Sequence, residues 1–290
     1  MSIDFNNICI LKKLVMIFNK KLTVILIVFL GFVFIIGACK NGNDSNENNT
    51  NKTATLKVVF SHKVGDQPFK MNEMVYKSKA GYPYDIRTLR YFLSEFGLYV
   101  DTSEALKIDT FHYIEATDKY KDTHTLTLSN IPEGTYDGFF FTMGLGDLFN
   151  HPIGGLDPHS LPNDVNEYLD MYWPWQEDGQ YHYMKYEGFY VAGKDTLSFK
   201  LHTGPTDGNK NYFKPEKLSF NPVSLKAGDT LILNLSMDMA KWIDGDITHD
   251  FNKFGKGIMD NQEAQDILKS NGHKVFTLEK ADLKKKSNNN

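Results

Sequence analysis

Leu56-Lys57-Val58-Val59-Phe60-Ser61-His62 is the stretch on which the fold class turns. Successive side chains of an extended chain point to opposite faces, so Leu56, Val58 and Phe60 share one face and alternate with Lys57 and Ser61. His62 has the parity of the apolar set and is expected to end this strand facing inward. The same two-residue period recurs outward along the chain. Thr110–Glu115, His124–Ser129, Tyr136–Met143, Tyr181–Val191, Thr196–Thr203 and Thr230–Met237 all read as strands. Ile131-Pro-Glu-Gly-Thr-Tyr reads as a turn into the third of these, and Ala227-Gly228-Asp229 as the turn into the last. Two segments read as helical: Asp85–Ser94, which competes with an alternating reading of Arg90–Val100, and Asn261–Ser270, closed by Asn271-Gly272. Residues 144–180 are rich in Gly, Pro and Asp and form a long irregular loop that is also aromatic-rich. The expectation is a mainly β, single β-sandwich-like domain with one or two short helices.

The N-terminal 38 residues have a different composition. Leu22–Ile36 is almost wholly apolar, follows Lys20-Lys21, and precedes Gly37-Ala38-Cys39. A basic flank, a short apolar run and small residues before a cleavage point make a secretory signal. A cysteine directly after them makes a lipobox, so Cys39 is the expected site of lipidation (acyl chains such as palmitate). Met16 offers a second, internal start for this signal peptide. Lys40–Thr53 contains no apolar residue, and residues 39–55 read as the lipidated Cys with a flexible tether. The folded domain is then expected over 56–280, followed by a polar tail over 281–290. This places the protein in the cell envelope, lipid-anchored to a membrane, with the outer membrane of a Gram-negative bacterium as the expected location.

Only Cys9 and Cys39 exist, so the mature domain has no disulfide and no thiolate ligand. A net charge of −4 without a basic, aromatic-interleaved stripe argues against nucleic acid. The chain holds no Gly-x-Ser-x-Gly elbow, no phosphate-cradling glycine loop and no His-Glu-x-x-His helix. The expectation is therefore a binding protein and not an enzyme.

Among the histidines, His62, His182 and His202 lie on or at the ends of strands, and His182 shares parity with Met184. Neutral imidazole together with a thioether suits copper, and the soft sulfur favours Cu(I) over zinc. Taken singly, each of these also fits a hydrogen-bonded surface histidine. His112, His124, His151, His159, His249 and His273 are weaker candidates. Met171-Tyr-Trp-Pro-Trp carries Trp173 and Trp175, a density of aromatics that fits a packed core or a stacking platform.

Seven segments carry a resemblance to a known family. They are Val58-Val-Phe-Ser-His-Lys-Val-Gly, Leu89-Arg-Tyr-Phe-Leu-Ser-Glu-Phe-Gly-Leu, Ile131-Pro-Glu-Gly-Thr-Tyr and Phe141-Thr-Met-Gly-Leu, then Met171-Tyr-Trp-Pro-Trp, Gly179-Gln-Tyr-His-Tyr-Met-Lys-Tyr-Glu-Gly and Phe199-Lys-Leu-His-Thr-Gly. In this order they resemble the MbnP-like family of periplasmic copper-binding proteins, found beside MauG-like dihaem enzymes. The resemblance implies copper uptake, storage or delivery. It also implies a tryptophan oxidised to kynurenine by a dihaem MauG-like peroxidase partner, with Trp173 the first candidate and Trp175 the second. His62, His182 and His202 become the candidate copper ligands, with Met184 a fourth. The alternative is a surface lipoprotein that binds a glycan or peptide on the Trp173/Trp175 platform.

Overall fold

The computed structural model describes residues 53–149, 170–173, 180–206 and 208–287. The chain divides into two units, and the described residues all belong to the second, Thr50–Asn290. The expected signal peptide, Cys39, the expected tether up to residue 52, Trp175, His151, His159 and most of the long loop lie outside the described residues.

The molecule is built from strands. One sheet contains β1 (Thr53–Val64), β2 (Gln67–Pro68), β7 (Thr125–Pro132), β14 (Thr230–Asp238) and β15 (Phe276–Lys284). A second contains β3 (Tyr76–Lys77), β4 (Pro83–Tyr84), β5 (Thr88–Val100), β6 (Ser103–Glu115), β8 (Gly134–Met143), β11 (Met184–Ala192), β12 (Asp195–Thr203) and β13 (Leu218–Leu225). A small ribbon pairs β9 (Tyr172–Trp173) with β10 (Gln180–Tyr181). In the first sheet β1 runs parallel to β14, with Leu56 opposite Leu231 and Phe60 opposite Leu235, and β7 covers its other edge. In the second, β5 is the hub: β6 pairs along one edge, while β11 and β8 share the other.

The inward residues of both sheets form one core. Leu56, Val58, Leu231, Leu233 and Leu235 come from the first sheet, and Leu93, Phe96, Phe139, Phe141 and Tyr186 from the second. Phe141 meets Phe276 edge-on across the layers, ring centres 4.9 Å apart. The alternation read from the sequence is therefore the packing code of a sandwich. On the outer face of β5, Phe92 seeds a separate aromatic cluster with Tyr113, Leu145, Met171, Tyr181 and Tyr183.

Among the described residues, three α-helices, α1 (Met239–Asp244), α2 (Phe251–Phe254) and α3 (Gln262–Gly272), and a 3-10 turn at Asp118–His124 accompany the sheets. The helix expected at 261–270 is α3, N-capped by Asn261 through Ala264 N–H. The helix expected at Asp85–Ser94 is instead the start of β5. Leu89, Tyr91, Phe92 and Leu93 are all buried, which a strand covered on both faces achieves and a helix with one apolar stripe does not. The strand expected over Tyr181–Val191 is broken at His182-Tyr183, between β10 and β11. The domain edges also move outward. β1 begins at Thr53 where tether was expected to 55, and β15 reaches Lys284 where a tail was expected from 281.

The third tryptophan, Trp242 on α1, is fully buried, and its indole N–H meets Met237 Sδ at 3.4 Å. Trp242→Ala should cost about 3–5 kcal/mol through lost contacts and the cavity left behind. Urea unfolding of the two proteins checks this, and a loss below about 1 kcal/mol would mean that α1 is not docked as described.

Candidate metal centre

The aromatic cluster outside β5 pins the β9–β10 ribbon, and the ribbon places the next residue. His182 N–H donates to Met171 O at 2.7 Å, and its ring Nδ1 lies 3.0 Å from the same carbonyl. A carbonyl only accepts, so Nδ1 carries the hydrogen and Nε2 keeps its lone pair. The ribbon is held from below as well. Asp170 pairs with Arg90, and its carbonyl accepts from Lys185 Nζ at 2.6 Å.

His202 arrives from β12. It lies opposite Lys185, diagonal to Glu187 on the neighbouring strand, and its Nε2–H donates to Glu187 Oε1 at 2.5 Å. That bond leaves the Nδ1 lone pair of His202 available. The two rings meet edge to face with centres 4.8 Å apart, and Trp173 stacks on His182 at 5.5 Å and 21°.

The environment keeps both imidazoles neutral. Burial pushes His182 down to about 3, with the neighbouring His202 acting in the same direction. Burial also lowers His202, against the opposing pull of Glu187. The hydrogen bond from His202 holds the Glu187 carboxyl down at about 2. A carboxylate that orients a neutral imidazole is the usual support for a histidine metal ligand.

These groups face a cavity of about 580 Å³, whose wall also includes Tyr172, Lys200 and the segment Gly257–Asn261. Met259 in that segment is half-buried. Gln265 of α3 ties the segment down, donating to His202 O at 2.8 Å and to Ile258 O at 3.2 Å, with Met259 Sδ 3.7 Å away. The neighbouring residue Gly204 makes room: a Cβ there would lie 3.2 Å from Met259 Cε and 3.5 Å from His182 Cα.

His182, His202 and Trp173 are thus brought together, while the other sequence candidates are placed elsewhere. His62 bonds through Nε2 to Tyr91 OH at 3.0 Å and packs against Phe69 and His124. Met184 is fully buried in the main core between Tyr91 and Thr203. The parity argument for His182 and Met184 fails because the chain bends at Tyr183 between them. Met259 is the thioether that lines the cavity. It stands in a loop outside any periodic pattern, and only its position just before the α3 N-cap marks it. Glu187 becomes visible as a partner of His202 only through the β11–β12 register.

Among the described residues, no three His, Cys, Asp or Glu side chains gather in a metal-holding group. Among the described residues, the neutral nitrogen and sulfur donors lining the cavity are two imidazoles and one thioether. Low coordination by nitrogen and sulfur is what Cu(I) accepts and what zinc or magnesium does not favour.

The model of the MbnP family matches residues 53–260. Among solved structures, MbnP from Methylosinus trichosporium is similar over 74% of this chain and 93% of that one, at 15% identity and a TM-score of 0.43. No curated protein matches.

Proposed function

The chain belongs to the MbnP family, and on that premise we propose that it is a copper-binding protein holding one ion between His182 and His202. The observation that carries the proposal is a pair of adjacent neutral imidazoles, each with one ring nitrogen fixed by the protein and the other left free. Met259 supplies the third donor. When bound, the ion serves as cargo for uptake, storage or delivery, so the protein needs no catalytic machinery.

Trp173 belongs to the same reading. An indole nitrogen has its lone pair in the ring and is a poor ligand. Cleavage of the indole C2–C3 bond by a dihaem partner, using two equivalents of hydrogen peroxide as oxidant and releasing C2 as formate on hydrolysis, would free an aniline amine beside His182, because Trp173 already stacks there and lines the same cavity. One face of the indole is covered by that stack, which disfavours the alternative use of Trp173 as a platform for a glycan or peptide. The protein is proposed to work on the lipid tether at Cys39, in the cell envelope.

The test is a Cu(I) titration of the full chain against a chromophoric chelator, with peptide mass analysis over residues 171–185 of protein from its native host. One tight equivalent is expected, with a gain of about 4 Da on Trp173, one carbon lost for one oxygen gained. Protein that takes up no copper in either tryptophan state would refute the proposal. Met259→Ala should weaken Cu(I) binding by a factor on the order of tenfold or more, whereas Met184→Leu should leave it unchanged. The reverse order would move the sulfur ligand back to Met184.

A further inference from the structure

The end of the sandwich at which the chain enters carries a groove unrelated to the metal centre. It is lined by Pro222, Val223, Lys226, Leu283, Lys285 and Lys286, among others. Three contacts build it around the first residue of β1. Gly228 N–H donates to Thr53 O at 2.9 Å, Thr55 N–H to Asp229 O at 2.9 Å, and Lys286 N–H to Asp229 Oδ1 at 3.1 Å. β15 ends in the same place, with Lys284 opposite Thr230.

The charges at this end are one-sided. Lys226, Lys284, Lys285 and Lys286 are exposed, and none forms an ion pair among the described residues. Two acids beside them accept from backbone N–H groups, and Lys285 and Lys226 also act on Asp229 through their charge. Asp229 accepts from Lys226 N–H and Lys286 N–H, and Glu133 accepts from Ala227 N–H. Four exposed lysines therefore outnumber two carboxylates at this end of a chain whose net charge is −4.

Where they lie is informative. Thirteen residues lie between Cys39 and Thr53. A chain of that length spans at most about 50 Å. If Cys39 carries the lipid, this groove is the part of the domain covalently closest to the bilayer.

We propose that Lys226, Lys284, Lys285 and Lys286 form a contact surface for the anionic phospholipid headgroups of the membrane that holds the anchor. The surface presses the Thr53 end of the domain onto the bilayer and sets the orientation of the sandwich. Lysines near an anionic surface are attracted over about a Debye length, so the contact weakens in salt. The proposal rests on the lipid-anchored reading given above.

The test uses the full chain extracted from membranes and reconstituted into vesicles of phosphatidylcholine alone or phosphatidylcholine with a minority of phosphatidylglycerol. Flotation reports attachment, and amine acetylation mapped by mass spectrometry reports lysine exposure, with Lys121 as the reference. The expected result is flotation with both vesicles, several-fold protection of the four lysines only with phosphatidylglycerol, and loss of that protection in high salt. Lys226→Glu with Lys285→Glu and Lys286→Glu should float equally and leave Lys284 unprotected. Flotation with both vesicles and unchanged lysine reactivity would overturn the contact surface while leaving the anchor in place. Flotation with neither would overturn both. Flotation with the anionic vesicles alone would support the surface and remove the anchor.

Discussion

His182→Ala should lower Cu(I) affinity by about two to three orders of magnitude, roughly 3–4 kcal/mol of binding free energy. His202→Ala should do the same. Each imidazole is one of two neutral nitrogen donors on the cavity wall among the described residues while Trp173 is unmodified. Lys185 and Lys200 are cations, while Asp170 and Asp260 offer hard oxygen. The two losses should not add, because removing either ring already leaves a single nitrogen donor. Glu187→Gln belongs between wild type and these variants. It keeps a hydrogen-bond acceptor for His202 and removes the charge, so a loss on the order of tenfold is expected. Competition against a chelator reads all four. If His182→Ala binds copper like the wild type, the site lies elsewhere, and His62 with His124 becomes the pair to examine.

The second large effect concerns acid. The metal-free domain should lose stability steeply between pH 6.5 and 5. Burial takes His182 and His62 down to about 3 and His249 to about 4, from an ordinary value of 6.5. A histidine with a lowered folded pKa binds its proton more readily when unfolded. Its contribution is therefore intact above pH 6.5 and lost as pH falls from 6.5 toward the folded value. At pH 5 the loss is about 2 kcal/mol for each fully buried ring, against a total stability of about 5–15 kcal/mol. His249 is the clearest case: it is almost fully buried, stacks on Phe254 at 4.7 Å, and has no hydrogen-bond partner on either ring nitrogen among the described residues. Asp244, raised by burial, acts the other way. Thermal melts at pH 7.5 and 5 should differ by about 10 °C. His249→Leu should shrink that difference without touching copper binding. A melting temperature unchanged across this range would mean that the buried histidines reach water.

Much of this architecture was written in the alternation of β1 and β14, because each buries one face against the other sheet. β5 was harder to read. Its two faces belong to two different clusters, so apolar residues sit at both parities and imitate a helical stripe. β15 escaped notice for the opposite reason: its apolar Leu278, Ala281 and Leu283 are thinned by charged neighbours at an exposed edge. The site shows the same division. His182, His202 and Trp173 stood out because their residue types are rare and chemically pointed. Their partners Glu187 and Met259 are ordinary residues in sequence and acquire meaning only through a strand register and a loop fold-back. His62 does face inward from β1 as its parity required, yet it meets Tyr91 and His124 and does not line the cavity.

The most direct test is X-ray absorption at the copper edge, on the copper-loaded full chain and on the His182→Ala/His202→Ala double variant. The account predicts scattering from two imidazole rings with one sulfur in the wild-type spectrum, and no retained copper in the variant. A spectrum of oxygen ligands alone, or a double variant that keeps its copper with imidazole scattering intact, would contradict it.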